Sequence, residues 1–114
     1  MFTQKEIKHI DKSYFRVLTA GCYGVTLQSR NTRHCWYIAS EEHGRYRSCR
    51  IYHTHHKGTA MHEHGHGRTL GSCMEQIKSH DVYQLKKDAS KRQRIRSCMT
   101  HRTVTETDSL STTF

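Results

Sequence analysis

Histidine is concentrated in one short stretch of the chain. Tyr52-His53-Thr54-His55-His56 and Met61-His62-Glu63-His64-Gly65-His66-Gly67 hold six of the eleven histidines within fourteen residues. Imidazole is the neutral nitrogen ligand suited to zinc, nickel and copper, and Glu63 adds a carboxylate able to ligate a metal or to act as base toward a metal-bound water. Alternate side chains share a face of a strand, so His53 and His55 project together, as do His62, His64 and His66 if that segment is extended. A hairpin turning near Gly58 would gather three or four rings. The expected ligands are His53, His55, His62 and His64, around a divalent transition metal such as zinc. The competing expectation is a solvated polar loop whose histidines bond locally.

Other chemistry fits these letters less well. His62-Glu63-His64-Gly65-His66 spells H-E-x-x-H, but that metalloprotease motif needs a helix to set both histidines on one side, and Gly65 and Gly67 oppose a helix. Cys35 beside His34 makes no nucleophile–base pair, because neighbours on a strand point to opposite faces. A Gly-rich phosphate loop and a G-x-S-x-G elbow are absent from the sequence, and Glu41-Glu42 are expected in an exposed polar loop. No catalytic residue is expected. The five cysteines, at 22, 35, 49, 73 and 98, form no Cys-x-x-Cys clamp and read as reduced thiols.

Charge supplies the second chemistry. Nineteen Lys and Arg face ten Asp and Glu, a formal net charge of +9. Residues 86–102 carry seven of the basic side chains against Asp88 alone, six of the nine net charges. Such a run holds phosphates by charge and counterion release, so Lys86, Lys87, Lys91, Arg92, Arg94 and Arg96 are expected nucleic-acid contacts. Arg50, Tyr37 and Tyr52 join them as a sheet face on which unpaired bases could stack. An acidic protein surface would answer the same charge. Only Ala89, Ile95, Cys98 and Met99 are apolar between residues 86 and 102, too few for membrane binding.

These groups must be positioned by a small scaffold. At 114 residues and 33% hydrophobic, the chain has room for one domain with a modest core. Thr3 and Glu6 have capping-box spacing, predicting a short helix over residues 4–11. Aromatic and branched residues at 14–20, the alternation of Val25 and Leu27 with Thr26 and Gln28 over 23–29, residues 34–40, and the alternation over 48–55 predict four strands. A loop or weak hairpin is expected at 56–68. Leu70, Cys73, Met74 and Ile77 recur at helical spacing, capped by Thr69 or by a Ser72–Glu75 box. The expected fold is a two-layer α+β domain over residues 1–87, an antiparallel meander of three to four strands covered by a C-terminal amphipathic helix. Its core is Val17, Val25, Leu27, Trp36, Ile38, Ile51, Cys73, Met74 and Ile77. Residues 88–114 form a basic extension that prolongs or frays the helix, ending in a disordered polar tail.

Two resemblances bear on function. Ile51-Tyr52-His53-Thr54-His55 resembles the strand-ending H-x-H of JAMM-type metallopeptidases, which would assign His53 and His55 to zinc; the downstream Ser-x-x-Asp is missing, which leaves the third ligand unassigned. Ser29-Arg30-Asn31-Thr32-Arg33-His34-Cys35-Trp36 and the same 51–55 segment are similar to small basic proteins of mobile elements in gut Firmicutes, across residues 3–90. That resemblance implies a nucleic-acid accessory role or an interaction with a host defence complex; a cytoplasmic location is expected separately, from the lack of a long apolar span or a secretion-signal pattern in the sequence. Three readings follow: a non-enzymatic nucleic-acid-binding module, a histidine metal-binding protein, and a protein-docking inhibitor or adaptor. A homodimer through the edge strand at 14–20 is compatible with each.

Overall fold

The computed structural model describes residues 1–55 and 60–110, with side chains up to residue 98. His56 and the expected turn at Gly58 lie outside these residues, as does the end of the polar tail. The elements are α1 (Gln4–Lys8), β1 (Phe15–Ala20), β2 (Gly24–Ser29), β3 (Cys35–His43), β4 (Tyr46–Thr54), β5 (His62–Gly67) and α2 (Leu70–Leu110). The five strands form one antiparallel sheet in sequence order, so the fold is α+β with a meander and a long C-terminal helix. Two compact units divide the chain, Met1–Asp81 and Val82–Phe114.

Sheet parity decides what is buried. Val25, Ile38 and Ile51 share one cross-strand row; Leu27, Trp36 and His53 share the next. All six are buried, with Phe15, Cys49, Leu70, Cys73 and Ile77 completing the core. Val17 and Met74 pack against it half-buried, and Phe2 and Ile10 from the N-terminal segment are buried in it. The α1 capping box forms as expected, Thr3 Oγ1 accepting from the Glu6 amide and Glu6 accepting from the Thr3 amide.

Glu6 does more than cap. Its carboxylate takes two bonds from Arg47 of β4, at 2.7 and 3.0 Å, and one at 3.3 Å from the amide of Leu70 that opens α2. Burial raises its pKa, but the Arg47 bonds and the amides outweigh burial and bring it to about 2. One carboxylate thus ties α1, β4 and the start of α2.

Three departures from the sequence reading have physical causes. Residues 62–67, expected as loop or weak hairpin and not counted among the strands, form edge strand β5, because its glycines fit under the helix: a Cβ on Gly67 would sit 2.7 Å from Ser72 Oγ and 3.0 Å from Cys73 Sγ. The helix continues through the basic stretch and on to Leu110, where a disordered polar tail is the expectation, since no proline or glycine follows Gly71 to break it. Its start is fixed by Thr69, whose hydroxyl accepts from the Ser72 amide while Ser72 Oγ accepts from the Thr69 amide. In the β2–β3 turn Asn31 is the residue type expected to tolerate a left-handed backbone, but that conformation belongs to Arg33 (φ 66°), and the Asn31 side chain instead accepts from the Thr32 amide.

Candidate metal centre

His53 enters the core because of its register. It pairs with Trp36 across β3 and β4, on the face that carries Leu27 and Ile38. Trp36 is wholly buried and fixed by its indole N–H, which donates to Ser29 Oγ at 3.0 Å. The His53 ring stacks on it, with centroids 4.0 Å apart and planes 16° apart, and is 2% exposed. Parity brings a second histidine to the same patch: His34 lies two residues before Trp36 and therefore on its side of the sheet. His34 is buried, and its Nδ1 stands 2.9 Å from His53 Nε2 in a hydrogen bond whose proton belongs to either ring.

The third ring comes from α2. His80 continues the stripe of Leu70, Cys73 and Ile77 at helical spacing and meets His53 at 4.9 Å between centroids. One ligand atom each from His34, His53 and His80 lies within 4.8 Å of the others. Among the described residues His80 Nδ1, which is buried, has no hydrogen-bond partner. The next residue, Asp81, is wholly buried and accepts from Tyr14 Oη at 2.7 Å and Thr32 Oγ1 at 3.0 Å. Those bonds pin the helix turn that carries His80 to β1 and the β2–β3 turn.

Three of the four ligands expected from sequence surround this trio without belonging to it. His55 stacks on His34 at 4.6 Å, His62 meets His53 edge-on at 5.4 Å, and His64 stands 4.6 Å from His80. A register shift between Ile51 and Tyr52, opposite Gly65 and Glu63, makes room for an extra residue, His64, which contacts Trp36, His53 and His80. Only His53 was both expected and central. Glu63 lies elsewhere, paired with Tyr52 in the register and 3.6 Å from the Arg50 guanidinium, so it is no ligand to this cluster.

The electrostatics suit a cation that arrives as a metal rather than as protons. Desolvation first, and then the surrounding imidazoles, push His53 down to about 3. Desolvation likewise lowers His64 and His80, the latter against the upward pull of Asp81. His53, His64 and His80 therefore favour the neutral form near pH 7, the form that offers a lone pair. Across a tetrahedral centre with Zn–N bonds of 2.0–2.1 Å, two nitrogens stand about 3.3 Å apart. The 2.9 Å between His34 Nδ1 and His53 Nε2 and the 4.8 Å that encloses one nitrogen of each ring lie on either side of that value, so adjustments of about 1–2 Å would set three donors around one ion.

The other expected contacts are distributed over two surfaces. Tyr37 and Tyr52 are cross-strand partners on the face opposite the histidines, with ring centroids 6.2 Å apart. Arg50 shares that face but is engaged by Glu41 at 3.0 Å and Glu63 at 3.6 Å, which offsets its charge. Lys86, Lys87, Lys91, Arg92, Arg94 and Arg96 are all exposed on α2 within the second unit; among the described residues none of the six pairs with a carboxylate. The five cysteines form no disulfide. No helix among the described residues is long and apolar enough to cross a membrane. Compared with known protein families, curated proteins and solved structures, the chain matches none.

Proposed function

We propose that this protein binds a divalent transition metal ion of the zinc class, with His34, His53 and His80 as ligands and His55, His62 and His64 as a surrounding ring of imidazoles. The observation that carries the reading is the convergence of three imidazole nitrogens within 4.8 Å, from a set in which the His80 ring also keeps a buried Nδ1 with no hydrogen-bond partner among the described residues. Buried polar groups are nearly always satisfied, and a group kept unsatisfied invites an ion or water that completes it. An all-nitrogen donor set suits zinc, copper or nickel and disfavours magnesium and calcium, which take oxygen. Three protein ligands leave a fourth position, which His64 or a water fills.

Elemental analysis and calorimetric titration of protein purified without a histidine tag test the reading. One equivalent of zinc should bind the wild type, and a His34→Ala, His53→Ala pair should lose it while keeping the native circular dichroism. Full retention of zinc by the folded double variant would falsify the assignment.

A second reading is favoured by the six exposed, unpaired cations of α2: they bind nucleic-acid phosphates without regard to sequence. Truncation after Leu85 should then flatten the salt dependence of binding to a random oligonucleotide. An identical slope for the shortened chain sinks that reading.

A further inference from the structure

On the face of the sheet opposite the histidines, Arg16, Gln28, Arg30 and Arg33 line a cavity of about 210 Å³. Arg16 and Gln28 are cross-strand partners on β1 and β2, and Arg30 and Arg33 flank the turn that follows. Three guanidiniums in one small cavity repel one another, and among the described residues none forms an ion pair with a carboxylate. Their arrangement is held by the backbone: Arg30 Nε donates to Lys12 O at 3.0 Å, and Gln28 Nε2 donates to Arg33 O at 3.1 Å. Arg33 also adopts φ 66°, a conformation a non-glycine residue takes at some cost, and this sets its direction of exit from the turn.

Farther along the same face, toward Gly24, lie two aromatic rings. Tyr37 and Tyr52 occupy the cross-strand row that includes Thr26, one outward-facing row along from Gln28. Tyr37 lies over Gly24, where a Cβ would come within 2.7 Å of its Cζ, so the ring rests across the strand.

We infer that the Arg16–Arg30–Arg33 cavity binds a backbone phosphate of single-stranded nucleic acid whose bases stack on Tyr37 and Tyr52. Guanidiniums grip phosphate oxygens through two parallel N–H bonds, and clustered unpaired ones supply the charge. Only unpaired bases expose faces to rings on an open sheet. The site belongs to the first unit, stands apart from the metal centre, and depends on neither the zinc reading nor the α2 cations.

Fluorescence anisotropy of the full chain with a labelled oligothymidylate of about twelve nucleotides, within the range of single-strand sites, tests it. Arg33→Gly is the cleanest change at the turn, because glycine suits the observed φ while the guanidinium goes with the rest of the side chain; Arg16→Gln accompanies it on the strand. Each should reduce the slope of log K against log salt by about 0.7, the value for one phosphate contact on a single strand. The Tyr37→Leu, Tyr52→Leu pair should weaken binding about tenfold or more with the slope unchanged, as expected for lost stacking. Urea midpoints establish that each variant is folded. An unchanged slope for the folded Arg16→Gln, Arg33→Gly double variant overturns the phosphate site, and unchanged affinity of the folded tyrosine pair overturns the stacking.

Discussion

Replacing His80 by leucine should invert the order of stability between metal-free and metal-loaded protein. His80 Nδ1 is buried without a partner among the described residues. Such a group costs about 1–3 kcal/mol, and a leucine of similar size removes the polar atom while keeping the stripe apolar. Because the ring is only half-buried, the lower end applies: His80→Leu gains about 1 kcal/mol, or about 5 °C in Tm for a domain of this size. With zinc the sign reverses. At free zinc about 100 times Kd the wild type gains about 2.7 kcal/mol, roughly 10–20 °C, whereas two remaining imidazoles hold the ion too weakly to match it. The assay is thermal unfolding by circular dichroism in a chelator and then in buffered zinc. A variant less stable than wild type in chelator, or one that gains as much from zinc, would refute the reasoning.

Three further outcomes test the scaffold. Gly67→Ala drives a Cβ against Ser72 Oγ and Cys73 Sγ and should cost about 1–3 kcal/mol in urea unfolding; no loss would mean that β5 does not lie against α2. Glu6→Gln should cost about 2 kcal/mol at pH 7. Its folded pKa of about 2 lies below the ordinary 4.5, so the contribution is complete above pH 4.5 and vanishes as pH falls toward 2; a pH-independent difference contradicts the Arg47 pairing. His53, His64 and His80 have lowered pKa values, so the unfolded chain binds more protons below about pH 6.5. Metal-free protein should therefore lose stability from pH 6.5 downward, by up to about 1.4 kcal/mol per pH unit for each extra proton; a flat profile between pH 6.5 and 4 would contradict their burial.

Much of the scaffold is legible from residue types. The alternation around Val25, Leu27, Ile38 and Ile51 and the spacing of Leu70, Cys73 and Ile77 report the buried faces directly. The metal centre is only half legible, because His53 was grouped with its sequence neighbours when its partners come from other elements. Parity with Trp36 places His34 on the buried face, and helical spacing from Ile77 places His80 there, so the signals exist at residues 34 and 80. They are visible only once pairing puts Trp36 opposite His53, which is a property of register. The arginine cavity is harder still. It depends on Arg33 taking a left-handed backbone at a turn where Asn31 was the natural candidate, and on Arg16 meeting Gln28 across two strands. The β5 strand was hidden because glycine usually argues against a strand, whereas here it permits close approach of a helix.

X-ray absorption at the zinc edge of the loaded wild-type protein measures the central claim most directly. The account predicts a first shell of nitrogen at about 2.0–2.1 Å with the outer-shell pattern of three or four imidazoles, which His34→Ala, His53→Ala removes. A sulfur shell at about 2.3 Å, as buried Cys49 and Cys73 would give, or a shell of oxygen alone, would contradict it.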